Sequence, residues 1–360
     1  MFDLRGSRFQ LLFFTAVLVL IGMMFVYSSG SLQAMRLHKG DMYFLMKQIV
    51  SCGLGIVLLA IAYKTPLDFY RRHIALIFFV TFILLVAVFT QKPANGAQRW
   101  IMFPIFSFQP SELAKFTVVV YLAHYLDKKY DRLSDFTRGL LPATMMVGCL
   151  TALVLLEPDF GATFLIVLVA FTIFIVGGAR PQHIIGIVGF VLPIFLSTVL
   201  FGYRKGRLLV FLDPWTDRFG NGYQLVQSLA AIGNGGIFGQ GIGNSIQKLF
   251  FLPEAHTDFI YAIIAEEWGL TGALLVFIII ILFFRVALSA SVRHADRYKK
   301  LLMIGVSCLL FYQSVINIFV VLGLVPTKGI TLPFISYGGS ALMMSLFFVG
   351  VLLRGIEEAQ

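Results

Sequence analysis

The sequence predicts an all-α polytopic membrane protein with about ten transmembrane helices and one large ordered extracytoplasmic loop. Three observations carry this. Of 360 residues, 59% are apolar and only 13% charged, where a soluble domain has roughly 45–50% and about 25%. Runs such as LLFFTAVLVLIGMMFVY are continuous, without the alternation of a barrel strand. Most are also long enough to cross a hydrocarbon layer of about 30 Å as helices, which satisfy their own backbone there. A water-soluble globule, a disordered chain, a coiled coil and a disulfide scaffold are thereby excluded. Cys52, Cys149 and Cys308 lie inside apolar runs and read as small core residues, not as bridges or zinc ligands.

The expected spans are 9–28, 43–63, 74–90, 111–126, 139–156, 160–178, 184–202, 258–284, 301–324 and 338–354. The first is too long in its apolar run for a cleaved signal and reads as a retained helix. The fourth is short and polar, so hydropathy alone leaves nine or ten open. Glu157-Pro158-Asp159 joins the fifth and sixth as a tight hairpin. Sixteen Lys and Arg fall on the side that holds both termini and ten on the other, which places both termini in the cytoplasm. The net charge of +10 follows from that bias and does not imply nucleic acid. Residues 1–360 read as a single membrane domain.

Between spans seven and eight lies a loop of residues 203–257, too rich in Phe, Trp215 and Tyr223 for a disordered linker. Within it, Leu225, Val226, Leu229 and Ile232 share a helical face opposite Gln224, Gln227 and Ser228, the pattern of a short interfacial helix. The glycine-dense GNGGIFGQGIGN follows. It lacks the Lys-Ser/Thr of a phosphate loop, so the loop reads as an ordered cap.

Ionisable residues within spans mark function by default. Lys47 sits near a span end and can snorkel. Glu112 and Lys115, three apart in QPSELAKF, share a face and are either a self-neutralised pair or the wall of a polar cavity. Glu266 and Glu267 find no cation one turn away and must meet a cavity, a Lys from elsewhere, or a proton. Arg99 with Trp100 is an interface anchor or an anion contact. Asp159 fits turn chemistry as well as a site. In His256-Thr257-Asp258-Phe259, opening span eight, Asp258 reads equally as a helix cap or a catalytic carboxylate. VPTKGITLPFISYGGSAL carries two prolines and Gly-Gly at membrane depth, where non-helical backbone lines a cavity or is buried in protein. Lys328, Ser336, Tyr337 and Ser340 are its polar candidates; a tight re-entrant turn is the other reading.

FQPSELAKF, EPDFGAT, GYQLVQSLAAIGNGGIFGQGIGNSIQKLFFLPEAHTDFIYAIIAEEWG and PTKGITLPFISYGGSAL, in this order and spacing, resemble the SEDS family (shape, elongation, division, sporulation) over nearly the whole chain. The wording GNSIQKLFFLPEAHTDF and PTKGITLPFISYGGS is similar to the division-type branch, with the elongation type as the alternative. Ala265 and Trp268 depart from the family's usual residues in that stretch. The resemblance implies a peptidoglycan glycosyltransferase of the bacterial cytoplasmic membrane, acting at the septum. Its substrate would be lipid II, the undecaprenyl-pyrophosphate-linked disaccharide peptide, and its partners a class B penicillin-binding protein transpeptidase and other divisome proteins. It makes Asp258 the essential carboxylate, with Arg99, Glu112, Lys115, Glu157, Asp159, His256, Lys328, Ser336 and Tyr337 as candidate substrate-binding residues.

That chemistry suits the residues. An inverting transfer needs one base at the attacking sugar hydroxyl and cations at the departing pyrophosphate. Asp258 supplies the first; Arg99, Lys115, Lys328 or a divalent cation (magnesium or manganese) is able to supply the second, and no cofactor is demanded. A lipid flippase is the competing reading. It should show repeats and midplane charges, whereas no repeat is found and the polar residues gather at the outer side.

Overall fold

The computed structural model describes residues 4–91, 98–103, 106–200, 206 and 210–359. Twelve α-helices account for most of them: α1 (Leu4–Arg36), α2 (Tyr43–Lys64), α3 (Leu67–Arg72), α4 (Ile74–Val88), α5 (Pro110–Lys128), α6 (Leu141–Leu156), α7 (Phe160–Val176), α8 (Pro181–Leu200), α9 (Tyr223–Gly235), α10 (Ile260–Val292), α11 (Arg297–Val321) and α12 (Gly339–Glu358). The described strands are two short ones, β1 (Ile101–Met102) antiparallel to β2 (Ser107–Phe108), with Ile101 opposite Phe108. A helix falls on each of the ten expected runs. Among the described residues six segments are long and apolar enough to cross a membrane: Gly6–Arg36, Tyr43–Lys64, Phe136–Leu156, Ile260–Val292, Arg297–Val321 and Gly339–Glu358. Ile74–Val88, Phe160–Val176 and Pro181–Pro193 are shorter apolar helices. α5, carrying Glu112, Lys115, Asp127 and Lys128, is the polar one. Residues 201–202 of the seventh run, residues 203–205 and 207–209 of the loop, and the cations Lys92, Arg204, Lys205 and Arg207 lie outside the described residues.

The outer helices turn apolar side chains outward, as a lipid solvent requires. Leu76, Phe79, Phe82, Ile83 and Val86 of α4 and Phe9, Phe13 and Leu20 of α1 are exposed. Cys149 is exposed too, a correction to its reading as core: in lipid an outward thiol on an apolar helix needs no packing partner. α11 and α12 form the centre, α12 lying along α2 and α11 against α5, α7 and α10. α12 approaches α2 closely at Gly350, where a β-carbon would strike the Leu59 carbonyl; small residues permit such packing.

Five ion pairs tie helix ends at one end of the bundle: Arg8 to Glu357, Arg71 to Asp127 and Asp296, and Lys299 to Asp68 and Glu358. These segments all belong to the Lys/Arg-rich side expected from the sequence.

At the other end the loop closes onto α10. Gly269 breaks that helix at φ 69° and ψ −167°, a conformation open mainly to glycine. The opened backbone is then paired by the glycine run: Gln240 and Gly241 donate to the carbonyls of Glu266 and Glu267, and Leu270 and Thr271 donate to those of Gly236 and Ile237. A β-carbon at Gly239 would collide with the Glu267 carbonyl. Both acids of the break serve the loop. Lys248 Nζ reaches Glu267 Oε1 at 2.9 Å and Ser28 Oγ at 3.0 Å. Glu266 accepts from Ser245 Oγ and from the backbone N–H groups of Ile246 and Gln247. The expected helix of the loop is α9, with one correction. Ser228, expected on its polar face, is fully buried and donates to the Val321 carbonyl at 2.8 Å, because α9 packs on α10 and α11 and meets the unpaired carbonyl of a helix end.

Candidate active site

Away from the ion-paired end, three non-helical segments meet: the Glu157–Asp159 hairpin, residues 254–259 ahead of α10, and residues 326–338 between α11 and α12. The third segment holds the second by its backbone. Tyr337 N–H donates to the His256 carbonyl at 2.9 Å, Ser336 Oγ to the Thr257 carbonyl at 2.7 Å, and Asn317 Nδ2 of α11 to the Asp258 carbonyl at 2.8 Å. Three successive carbonyls are thus gripped. A non-helical stretch at membrane depth must have its polar backbone satisfied in this way.

The grip leaves the Asp258 carboxylate unused. α10 starts at Ile260 with Phe259 at its cap position and no side-chain cap, so of the two readings of Asp258 the capping one is not what the structure contains. Among the described residues no donor is bonded to that carboxylate. It is only partly exposed, and its Oδ2 faces Gly329, where a β-carbon would lie 3.1 Å away. Burial pushes its pKa up to about 7, the charges of Glu254 and Asp159 adding to this and Arg99 opposing it. A carboxylate poised near neutral pH is suited to general-base work.

Around it the expected residues divide. Lys328, beside Gly329, lies over the Phe164 ring at 3.7 Å and the Phe160 ring at 5.1 Å. Burial lowers its pKa to about 8. Arg99 donates to the carbonyls of Glu157 (3.2 Å) and Pro158 (2.7 Å), so it holds the hairpin. Asp159 is saturated: Oδ1 accepts the Ala162 N–H and caps α7, while Oδ2 accepts from Gln109 at 2.7 Å and Ser111 at 3.0 Å. Glu157 is fully buried with both carboxyl oxygens lacking a partner; burial, then Asp159, lifts its pKa to about 8 against the pull of Arg99. His256 is buried between Phe44 (4.6 Å) and Tyr337 (5.4 Å), and burial lowers its pKa despite Glu254, so it is a neutral ring in a wall. Tyr337 shares that wall, its phenol pushed up to about 12 by burial. Ser336 Oγ also accepts the Leu332 N–H at 2.8 Å. Ser340 is fully buried.

Glu112 and Lys115 form a buried pair at 2.7 Å. Lys115 continues to Gln313 Oε1 at 2.8 Å, and Gln313 Nε2 to the Thr331 carbonyl at 3.2 Å. The pair is self-neutralised, and through Gln313 it also anchors the loop that holds Thr331. A divalent cation fits these residues poorly. Asp159 has its oxygens taken, Glu157 is buried at a pKa near 8, and no group of three or more His, Cys, Asp or Glu among the described residues is arranged to hold a metal.

Sequence reasoning missed the amides. Gln48 of α2 donates to the Ser336 carbonyl at 3.1 Å, and Gln109, Gln313 and Asn317 each grip a site segment. The available signal was an uncharged amide inside an apolar run, above all Gln313 and Asn317 at i, i+4 in YQSVINIF.

Fold and site together define a polytopic helical membrane protein with a polar, carboxylate-centred site at one end. The model of the cell cycle protein family that carries the names FtsW, RodA and SpoVE matches residues 9–359, and the chain belongs to that family. It is 38% identical to the probable peptidoglycan glycosyltransferase FtsW of Geobacter metallireducens, over 96% of this chain and 93% of the relative. The same is true of the FtsW of Coxiella burnetii at 38%, over 96% and 95%. Among solved structures, a chain of a peptidoglycan synthase complex that coordinates polymerization and crosslinking superposes with a TM-score of 0.78 at 27% identity, covering 97% of both chains. The rod shape determining protein RodA of Thermus thermophilus shares the fold, with a TM-score of 0.69 at 24% identity over 97% and 96%.

Proposed function

We propose that this chain is a peptidoglycan glycosyltransferase that polymerises lipid II into glycan strands at the outer face of the bacterial cytoplasmic membrane, with Asp258 as general base. The observation that carries the reading is the Asp258 carboxylate. Its backbone is gripped by Asn317, Asp258 caps no helix, and its pKa is raised to about 7. The names of the curated relatives support the activity.

In the transfer, Asp258 takes the proton from the acceptor sugar's 4-hydroxyl as that oxygen attacks the donor's anomeric carbon. The bond from that carbon to the pyrophosphate oxygen breaks with its electron pair on the leaving group, and the configuration inverts. Lys328, whose ammonium lies over the Phe160 and Phe164 rings, is the cation assigned to that developing charge, while Arg99 shapes the hairpin. The base is worth about 10²–10⁴-fold, or roughly 3–5 kcal/mol of barrier. Pyrophosphate leaves without an acid catalyst, and the base returns its proton to water.

Membership among FtsW-named relatives supports a place at the division septum with other divisome proteins nearby, and the Lys/Arg bias supports cytoplasmic termini. The matched synthase complex supports a class B penicillin-binding protein as the crosslinking partner. The test is the purified chain in detergent with labelled lipid II, alone and with that partner. Glycan strands are expected. Translocation of lipid II across vesicles with no strand made would replace this reading with the flippase.

A further inference from the structure

We propose that Asn317 is a positioning residue: its single side-chain amide bolts the segment bearing Asp258 to the turn that holds Gly329 and Ile330 and so fixes where the base stands. Asn317 Nδ2 donates to two backbone carbonyls at once, Asp258 at 2.8 Å and Ile330 at 2.6 Å. An NH₂ group has two donors and both are used. The reverse orientation of the amide would set its oxygen against two carbonyl oxygens, so the assignment follows from the chemistry of the partners. The amide oxygen is buried with no partner, so the side chain is held by its donor end.

One turn earlier on α11, Gln313 makes the contrast. Its amide grips Thr331 and Lys115 and does not touch the Asp258 segment. Tyr337 and Ser336 grip His256 and Thr257, which leaves Asn317 as the side chain that fixes the Asp258 residue itself. Its second carbonyl, Ile330, follows Gly329, the residue against which Asp258 Oδ2 rests. Without the bolt the two segments are free to separate at the point where the carboxylate must meet an attacking hydroxyl. A misplacement of this kind costs rate far more than it costs binding.

This inference rests on the polymerase reading for its kinetics but not for its geometry, and the experiment separates the two. Full-length Asn317→Leu and Asn317→His proteins are compared with wild type, the imidazole N–H restoring one donor. For Asn317→Leu the expected result is a fall in kcat of about 10²-fold with little change in KM. The acid limb of the pH profile should move below about 7 as water reaches Asp258, and amide hydrogen exchange should quicken in 257–260 and 328–332 without substrate. Asn317→His should recover much of the rate. A Leu variant with wild-type turnover and pH profile, or one with exchange unchanged in both segments, overturns the proposal. Should wild type make no glycan at all, the polymerase reading fails while the exchange result still decides the bolt.

Discussion

Asp258 Oδ2 lies against the backbone of Gly329, 3.1 Å from where a β-carbon on that glycine would stand. Gly329 is not among the residues with positive φ, so an alanine there meets no backbone strain, only the carboxylate. Gly329→Ala should therefore fold and insert normally while displacing Asp258 by a few tenths of an ångström. The expected loss in initial polymerisation rate is about 10-fold. Thermal unfolding in detergent should not change.

The pH dependence follows from the same group. Asp258 acts as a base only when ionised, and its pKa is raised to about 7, so kcat/KM should rise with pH up to that value and then level. Lys328, lowered to about 8 by burial, should bring activity down again above it. Glu254 is the largest charge raising Asp258 after burial itself. Glu254→Gln should shift the acid limb to lower pH and leave the alkaline limb in place, a separation that a pH–rate series on the variant reads directly.

Glu157 makes a stability prediction of definite sign. Its pKa in the fold, about 8, lies above the ordinary 4.5. The folded state therefore keeps a proton that the unfolded chain releases, and stability falls as pH climbs from about 4.5 to about 8, levelling beyond. Glu157→Gln, neutral throughout, removes that fall. Its Tm in detergent should exceed that of wild type by a margin that grows across this window. A margin independent of pH would contradict the assignment.

The helices were legible because lipid imposes a simple code: continuous apolar runs of sufficient length. The outer loop's amphipathic helix and the importance of the 254–259 and 326–338 segments were legible for local reasons, a helical stripe and breakers at membrane depth. What escaped were pairings between distant residues. Nothing near Glu267 in sequence announces Ser28, and the kink at Gly269 makes sense only once Gly239 lies across it. Ser228 lies on the polar side of the stripe in sequence, and only the fold brings the Val321 carbonyl to its hydroxyl. Asp159 and Asp258, each with a structural reading beside a functional one, were separable only by their partners: one is saturated by Gln109, Ser111 and Ala162, and the other accepts no hydrogen bond among the described residues. Amides such as Asn317 carry no charge to flag their burial.

The most direct measurement is the initial rate of glycan synthesis from labelled lipid II by purified wild-type and Asp258→Asn proteins, matched for insertion and thermal unfolding. The asparagine keeps the shape and the backbone grip while removing the proton acceptor. The account predicts a loss of at least about 10²-fold with substrate still bound. A variant that polymerises at the wild-type rate would remove Asp258 as the base.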